Sequence, residues 1–416
     1  MAPTRWAGSE QSELAGKSGS KTMHICDLTT LYIDGGEGGV NTYLTEKAQY
    51  LTAHQSGHRH TIIVPGVKNA RRSLHGSTLY TLQSPRFFYN PHHRVLTNFR
   101  QIQQILAAEK PDVIEVDCVY FLSHWARAAM GGWQAPLIGF YHSHLPTLYA
   151  GPLTRRFGTS VSRMVEHSAW AYVGYCMQPL DKVLVASPDI YERLIQRIDK
   201  KVEQVSLGVN LSLFHPREAN AEPSPEYRPT ILYVGRLSQE KDLSVLFEAF
   251  RLLNQHGRYQ LQIVGDGPLR KETEKFVRST PHAFWAGLIP YGERLAECYA
   301  TADVLALPSR NETFGLAVLE ALASGIPVVA VQQGGPSSLL HSRVGALAMP
   351  GDPGDFAEKL QHVLEDQTIA SHCRTYVTQH FSWDKTFTKL LSIYESLNPG
   401  NDAALYQPTL ENGGLK

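Results

Sequence analysis

Two glutamates, Glu312 and Glu320, are separated by seven residues and enclose a loop that runs into a predicted helix. A strand is predicted at Val304–Leu307, and the helix is predicted to begin at Gly315. The first backbone N–H groups of a helix have no partner within it, so this helix start can bind an anion such as a phosphate. Glu320 can accept hydrogen bonds from a ribose diol, and Glu312 can accept them from sugar hydroxyls.

The same spacing is equally compatible with an ordinary capped helix that carries two solvated glutamates. If the site is real, it includes the residues at the helix start: Thr313, Phe314, Gly315 and Leu316. A glycine at this point lets backbone approach a phosphate closely.

Two cations, Arg236 and Lys241, come just after the predicted strand Thr230–Val234. Their charges could stabilise a diphosphate leaving group, which gains negative charge in the transition state. The alternative is a surface pair at a helix start. No Asp-x-Asp occurs in the chain, so the sequence predicts no metal site and no cofactor.

A glycine-rich loop, Gly35–Val40, lies between the first strand and its helix. Such a loop lets a ligand touch the backbone near the positive end of a helix. A dinucleotide fingerprint is disfavoured because Asn41 occupies the third glycine position. In addition, no acidic residue follows the strand Thr61–Val64, where a dinucleotide fold needs one.

Two histidines, His142 and His144, directly follow the predicted strand Leu137–Tyr141. A His-x-His pair can bind a metal, but no third ligand of similar placement is evident. A hydrogen-bonded core histidine is the plainer alternative.

Basic residues interleave with aromatic ones in two segments that bear on an acceptor. They are Arg71, Arg72, Arg86 and Arg94 with Phe87, Phe88 and Tyr89, and later Tyr149, Arg155 and Arg156. This pattern suits an anionic membrane surface or a lipid-linked acceptor. A solvated face with partly buried aromatics is the favoured alternative.

The elements that position these residues alternate between short apolar runs and longer amphipathic segments, as in βαβ units. Further strands are predicted at Met23–Leu28, Val113–Val116, Lys182–Ala186, Leu261–Val264, Ala283–Trp285 and Pro327–Ala330. Helices are predicted at Asn41–Leu51, Asp242–Leu253, Leu295–Ala300, Gly315–Ala323 and Trp383–Leu397. The fold class is therefore α/β, with two Rossmann-like doubly wound domains facing across a cleft. Ligands bind beyond the carboxyl ends of such strands.

A proline-rich break separates the two series of strands. The sequence predicts a disordered tail at 1–21, an acceptor-side domain at 22–210, a linker at 211–228 and a nucleotide-binding domain at 229–380. A C-terminal helix at 381–398 is expected to pack back onto the first domain, before a polar tail at 399–416.

The composition is that of an ordinary globular protein of 416 residues, with 39 basic and 39 acidic side chains. This balance gives no reason to expect a nucleic-acid partner. The five cysteines form no CxxC pair, and the N-terminal stretch lacks a signal-peptide core. We expect a cytoplasmic protein, free or in peripheral contact with the inner face of the membrane, of unassigned oligomeric state.

The string ETFGLAVLEALASGIPVVA resembles the EX7E segment of the GT4-type retaining glycosyltransferases (glycosyl transferases group 1), which adopt the GT-B fold. ILYVGRLSQEKD resembles their GR…K segment, QLQIVGDGP their glycine-rich turn, and VSLGVNLSLFHP their inter-domain joint. Asn210 stands where the family often has Asp. The resemblance covers about residues 22–395, with the motifs in the family's order.

This resemblance implies transfer of a hexosyl unit from a nucleoside diphosphate sugar to a hydroxyl acceptor, with retention and without metal. UDP-hexose is favoured, GDP-mannose is the other donor considered, and a lipid or glycolipid acceptor is expected. Arg236 and Lys241 would hold the pyrophosphate, Gly38 and Gly39 would close over it, and His142 would lie near the sugar. A nucleotide-sugar epimerase and a non-catalytic sugar-nucleotide binder remain alternatives, and a pyridoxal-phosphate phosphorylase is disfavoured by chain length.

Overall fold

The computed structural model describes residues 22–33, 38–54, 57–87, 90–116, 121–142, 159–217 and 227–398. The two predicted tails, residues 35–37 of the glycine-rich loop, His144 and the segment around Tyr149, Arg155 and Arg156 lie outside the described residues, as do Phe88 and Tyr89.

The first sheet has the strand order β10-β9-β8-β7-β1-β2-β4-β3, and all its neighbours are parallel except the hairpin β3–β4. Its strands are β1 (His24–Leu28), β2 (Arg59–Gly66), β3 (Ala70–Leu74), β4 (Ser77–Gln83), β7 (Val113–Val116), β8 (Leu137–Phe140), β9 (Lys182–Val185) and β10 (Val202–Gln204). A separate ribbon is formed by β5 (Arg86–Phe87) and β6 (Asn90–Arg94). The helices of this domain are α1 (Gly39–Ala53), α2 (Phe99–Glu109), α3 (Leu122–Ala129), α4 (Thr159–Met177) and α5 (Pro188–Ile195).

The second sheet is wholly parallel, in the order β13-β12-β11-β14-β15-β16. Its strands are β11 (Thr230–Val234), β12 (Gln260–Val264), β13 (Ala283–Gly287), β14 (Val304–Leu307), β15 (Val328–Val331) and β16 (Gly345–Ala348). A 3-10 turn at Gln239–Lys241 precedes the helices α6 (Leu243–Leu253), α7 (Arg270–Ser279), α8 (Glu293–Ala300), α9 (Leu316–Ala323), α10 (Pro336–Leu339), α11 (Pro353–Glu365), α12 (Gln367–His380) and α13 (Trp383–Leu397).

The central strands are buried on both faces because helices cover the parallel sheets, which explains their β-branched and aliphatic content. All four residues of β14 and of β15 are buried, as are all five of β1. One continuous apolar core includes residues of both domains, for example Tyr43 and Phe314. The two domains are therefore packed against each other as well as joined by the chain.

The final helix, α13, returns to the first domain. Phe387 packs against Tyr43 of α1, with ring centroids 5.8 Å apart. The Tyr394 hydroxyl donates to Glu115 on β7. Upstream, Val209 forms a parallel bridge with Ser382, which ties the inter-domain joint to the start of this helix.

The predicted fold class is confirmed by two parallel α/β sheets, and the predicted strands recur with shifts of one or two residues at their ends. Strands β3, β4, β5, β6, β10 and β16 were not predicted. Within the described part of the chain, no helix combines the length and apolar character needed to cross a bilayer.

Candidate active site

The loops after β11 and β14 meet because these two strands are neighbours in the second sheet. Lys241, after β11, extends its Nζ to an ion pair with Glu312 Oε1, after β14. Both side chains are about one-fifth exposed, so each can reach a ligand. The sequence-predicted cation and carboxylate are thus in direct contact. Arg236 lies exposed on the same β11 loop, where its carbonyl oxygen accepts a hydrogen bond from Tyr233.

The loop that carries Glu312 is fixed by polar contacts on both sides. Arg310 binds Asp242 through two hydrogen bonds of 2.6 and 3.0 Å, a bidentate pair of well-defined geometry. The Glu312 carbonyl oxygen accepts a hydrogen bond of 2.8 Å from the Gly335 amide. These contacts hold the carboxylate of Glu312 at the carboxyl edge of the sheet.

Helix α9 begins at Leu316, one residue later than predicted. Gly315 is its N-cap and has a φ of 100°, in the left-handed region that favours glycine. No side chain caps this helix start, so its first amide groups are not occupied by a side-chain oxygen. Phe314 is buried beneath the turn, and Thr313 faces the first domain.

Glu320 lies on α9 and is 8% exposed. Its Oε2 accepts a hydrogen bond of 2.6 Å from the fully buried Tyr299. Glu320 is therefore a positioned, buried carboxylate, and the alternative of two solvated glutamates does not describe it.

His142 lies across the cleft from this loop, directly after β8. The Thr313 hydroxyl donates a hydrogen bond of 2.9 Å to the His142 carbonyl oxygen, which links the two domains at this point. The imidazole stacks on Phe140 at 4.3 Å, and its Nε2 is buried without a hydrogen-bond partner among the described residues. Burial lowers the pKa of His142 to about 3, so the ring is neutral at physiological pH.

The described part of the glycine loop reaches the same place. Gly38 is the N-cap of α1, and a Cβ on Gly39 would lie 3.4 Å from Leu316 Cδ1. The N-termini of α1 and α9 are therefore brought together from opposite domains. The predicted residues Gly39, His142, Thr313 and Leu316 share one region of the cleft.

Sequence reasoning missed a second contact between the domains. Glu46 of α1 accepts hydrogen bonds of 3.1 Å from both Asn210 and Tyr291. Burial raises the pKa of Glu46. Asn210, which departs from the family pattern, is explained by this contact, because an amide can donate to the buried carboxylate and an aspartate could not.

A buried charge cluster also escaped prediction. Lys47 Nζ lies 2.7 Å from Asp27, 3.3 Å from Glu115 and 2.9 Å from the Tyr394 hydroxyl. Burial alone would raise the pKa of Asp27, but Lys47 and His60 hold it below its usual range. Lys47 lies four residues after Tyr43 on a predicted helix, and nothing in the neighbouring sequence indicated that its side chain is buried among carboxylates.

Two family models match the chain. The model described as Glycosyltransferase Family 4 matches residues 37–213, and the model described as Glycosyl transferases group 1 matches residues 215–380. Among curated proteins, a GDP-mannose-dependent alpha-mannosyltransferase of Mycobacterium tuberculosis is 28% identical, over 86% of this chain and 93% of that protein. The sulfoquinovosyl transferase SQD2 of Arabidopsis thaliana is 30% identical, over 68% of this chain and 56% of that protein.

Solved structures show the same architecture. Sucrose-phosphate synthase from Thermosynechococcus elongatus has a TM-score of 0.73 at 22% identity, over 91% of this chain and all of that chain. Anabaena HepE, in complex with UDP and glucose, has a TM-score of 0.67 at 18% identity, over 90% of this chain and all of that chain. Since the family models match the two domains in turn, the protein belongs to the GT4-type retaining glycosyltransferases of the GT-B fold.

Proposed function

We propose that the cleft transfers a hexosyl unit from a nucleoside diphosphate sugar to a hydroxyl acceptor with retention of the anomeric configuration. The observation that carries this proposal is the contact between Lys241 and Glu312 beside the uncapped start of α9. A cation, a carboxylate and free amide groups at one point match the diphosphate and the sugar of such a donor.

Each side chain then has a specific role. Lys241, Arg236 and the amide groups at Gly315 and Leu316 bind the diphosphate and stabilise the charge that develops as it leaves. Glu312 accepts hydrogen bonds from sugar hydroxyls. Its ion pair with Lys241 fixes both groups before the donor binds, which limits reorganisation during the reaction.

The ribose end of the donor meets a different carboxylate. Glu320 is oriented by Tyr299 through one oxygen, Oε2. Its other oxygen can accept a hydrogen bond from a ribose hydroxyl. Since α9 rises about 1.5 Å per residue, Glu320 lies about 6 Å along the helix from Leu316, which suits the distance between a phosphate and its ribose.

The reaction proceeds by displacement on one face of the sugar. The bond from C1 to the leaving phosphate oxygen breaks, a bond from C1 to the acceptor oxygen forms on the same face, and the acceptor proton passes to the leaving phosphate. His142 is neutral, so it orients a sugar hydroxyl by hydrogen bonding through Nε2 and does not shuttle the proton. Packing of the two domains excludes water and limits hydrolysis.

The names of the relatives support two donors. Several relatives matched over most of their own length are GDP-mannose-dependent mannosyltransferases, and another is a D-inositol 3-phosphate glycosyltransferase. UDP is present in the HepE structures. We therefore place GDP-mannose beside UDP-hexose as the donor to test first. A relative that is 27% identical over 95% of its own length is a phosphatidylinositol dimannoside mannosyltransferase, which supports a lipid-linked acceptor and peripheral contact with a membrane.

The test uses purified protein, GDP-mannose or UDP-glucose, and a panel of lipid and glycoside acceptors. We expect acceptor-dependent release of the nucleoside diphosphate, and we expect Lys241→Ala and Glu312→Ala each to lower it by about 10²–10³-fold. Lys359→Ala is the matched control, because Lys359 pairs with Asp355 and Glu358 on the surface of α11. Full activity in both cleft variants, or an isomerised sugar nucleotide formed without acceptor, would contradict the proposal.

A further inference from the structure

An open polar cavity of about 990 Å³ lies in the first domain, at the carboxyl ends of β2 and β4. It is lined by Asn69, Gln83, Arg94, Asn98 and Arg100, among others. None of the residues of the donor half-site lines it. This cavity therefore belongs to the acceptor side of the cleft or to a separate site.

The cavity is built by specific side-chain contacts. Asn69 Oδ1 accepts a hydrogen bond of 2.7 Å from the backbone N–H of Gln83, and Asn98 Nδ2 donates one of 2.7 Å to the backbone carbonyl oxygen of Gln83. Arg94 donates through one Nη to the Ser84 carbonyl oxygen at 2.6 Å. This bond fixes the guanidinium and leaves most of its N–H groups available for a ligand.

The charge of the cavity is positive. Its lining includes two arginines and no carboxylate, and neither arginine forms an ion pair within the described part of the chain. The surrounding segment has no Asp or Glu between Glu46 and Glu109, whereas the whole chain is electrically balanced. In that segment Lys and Arg occur at Lys47, Arg59, Lys68, Arg71, Arg72, Arg86, Arg94 and Arg100.

Helix α2 begins at the cavity wall and adds to this field. The side chain of its N-cap, Asn98, makes no capping hydrogen bond and is turned to Gln83 instead. In the first turn, the Phe99 and Gln101 amides donate to the Thr97 and Asn98 carbonyl oxygens. The Arg100 amide has no partner among the described residues, so this amide and the positive end of the helix dipole are placed to bind an anion. Two guanidinium forks and a helix start together match the several oxygens of a phosphate better than the two of a carboxylate.

The segment that lines the cavity is bound to the residue that follows β1 by two positions. The Thr30 hydroxyl donates a hydrogen bond of 3.1 Å to the Arg94 carbonyl oxygen and accepts one of 3.2 Å from the Leu96 amide. Along the same edge of the sheet, β4 is four strand positions from β8, which precedes His142. Neighbouring strands are about 4.8 Å apart, so the cavity lies about 19 Å from the histidine.

We propose that this cavity binds a phosphate group of the acceptor, remote from the hydroxyl that receives the sugar. The inference rests on the proposed function for its link to transfer, but the phosphate site itself can be tested separately. The acceptor is then an extended phosphate-bearing molecule. Its phosphate comes either from a soluble glycoside phosphate or from a phospholipid headgroup.

The experiment measures phosphate binding by calorimetry while UDP or GDP saturates the donor site. The soluble probe is glycerol 3-phosphate, with glycerol as its uncharged counterpart. The lipid probe is a phosphatidylcholine vesicle with or without phosphatidylglycerol, followed by co-sedimentation. We expect Arg100→Gln, and Arg94→Gln with Arg100→Gln, to weaken binding of the responsive probe by about tenfold or more.

Arg71→Gln is the matched control, since Arg71 is an exposed arginine of the same segment that lies over the Tyr80 ring and outside the cavity. Arg100 is exposed, so the Arg100→Gln variant is expected to fold. It keeps the test valid even if the double variant is destabilised by loss of the Arg94 bond to Ser84. Binding of glycerol 3-phosphate identifies a soluble source, and binding of anionic vesicles alone identifies a lipid source. No binding of either probe, or equal loss in Arg71→Gln, overturns the proposal. Absence of nucleotide binding would instead contradict the proposed function.

Discussion

At the scale of single residues, the cleft depends on how burial controls the protonation of its side chains. His142 has a folded-state pKa of about 3, below its ordinary value of 6.5, because burial disfavours the imidazolium. The unfolded chain therefore takes up a proton at a higher pH than the folded protein does. The contribution of the neutral His142 to the free energy of unfolding is complete above pH 6.5 and is lost as the pH falls from 6.5 toward 3.

We expect His142→Gln to reduce the pH dependence of the free energy of unfolding between pH 6.5 and 5, because glutamine does not titrate. Urea unfolding at several pH values measures this slope. His256→Gln, which changes an exposed histidine, is expected to leave it unchanged. An unaltered slope in His142→Gln would show that the imidazole is already solvated.

Asn210 provides a second test at this scale. Asn210→Asp places a carboxylate about 3 Å from Glu46, whose pKa is already raised by burial. We expect the substitution to lower the thermal midpoint, relative to the parent protein at the same pH, by more at pH 8 than at pH 5. At pH 5, protonation of one of the two carboxyl groups relieves the repulsion. Adding Glu46→Gln to the same chain should recover most of the decrease in thermal midpoint at pH 8. An equal loss at both pH values would exclude charge repulsion as the cause.

At the scale of elements, close backbone contacts position the loops that carry the proposed donor site. Gly265 follows β12 with a φ of 137°, and a Cβ there would lie 1.9 Å from the Gly235 carbonyl oxygen. Neither backbone can yield without moving the loop of Arg236 and Lys241. We expect Gly265→Ala to lower transfer by about tenfold or more and to lower stability as well.

The matched control is Gly174→Ala in α4, where an added Cβ meets nothing within 4 Å. Because alanine is favoured over glycine within a helix, this variant should be as stable as the parent or more so. Steady-state release of the nucleoside diphosphate and thermal unfolding measure both effects. Parent-like activity in Gly265→Ala would indicate that the β11 loop tolerates displacement.

Buried strands and the last amphipathic helix were the most predictable elements from sequence. The bounds of β7, β11, β14 and α13 agree with the prediction, because each is an apolar or amphipathic run with clear ends. The hairpin β3–β4 was missed because β3 is a mostly exposed edge strand that contains Arg71 and Arg72. An edge strand buries few side chains and shows little hydrophobic pattern.

The contact of Lys241 with Glu312 follows from topology once both loops are placed after neighbouring strands, and the sequence could indicate it. The contact of Tyr394 with Lys47 spans 347 positions of the chain, and the order of the strands does not predict it. A tyrosine on an amphipathic helix is equally typical of an ordinary core position. Tertiary contacts of this kind are decided by the packing of whole domains.

At the scale of the whole molecule, α13 ties the end of the chain to the first domain through the buried charge cluster. Lys47 is 1% exposed and is the cation that faces the carboxylates of Asp27 and Glu115. Removal of one partner leaves the others as uncompensated buried charges. We expect Lys47→Met to lower the free energy of unfolding by about 3–5 kcal/mol.

Urea unfolding monitored by tryptophan fluorescence and by circular dichroism measures this loss and reports whether the two domains unfold together. Lys359→Met, which removes a surface lysine of α11, is expected to change stability by no more than about 0.5 kcal/mol. An equal effect of both substitutions would mean that the cluster does not stabilise the molecule.

The central claim is retaining transfer at the cleft formed by Lys241, Glu312 and His142. Proton NMR of the complete reaction, with GDP-mannose or UDP-glucose and an accepted hydroxyl compound, tests it most directly. We predict that the α-anomeric signal of the donor is replaced by that of an α-glycoside as nucleoside diphosphate is released, and that Lys241→Ala shows neither change. A β-glycoside, or an α-glycoside formed at the parent rate by Lys241→Ala, would contradict the account.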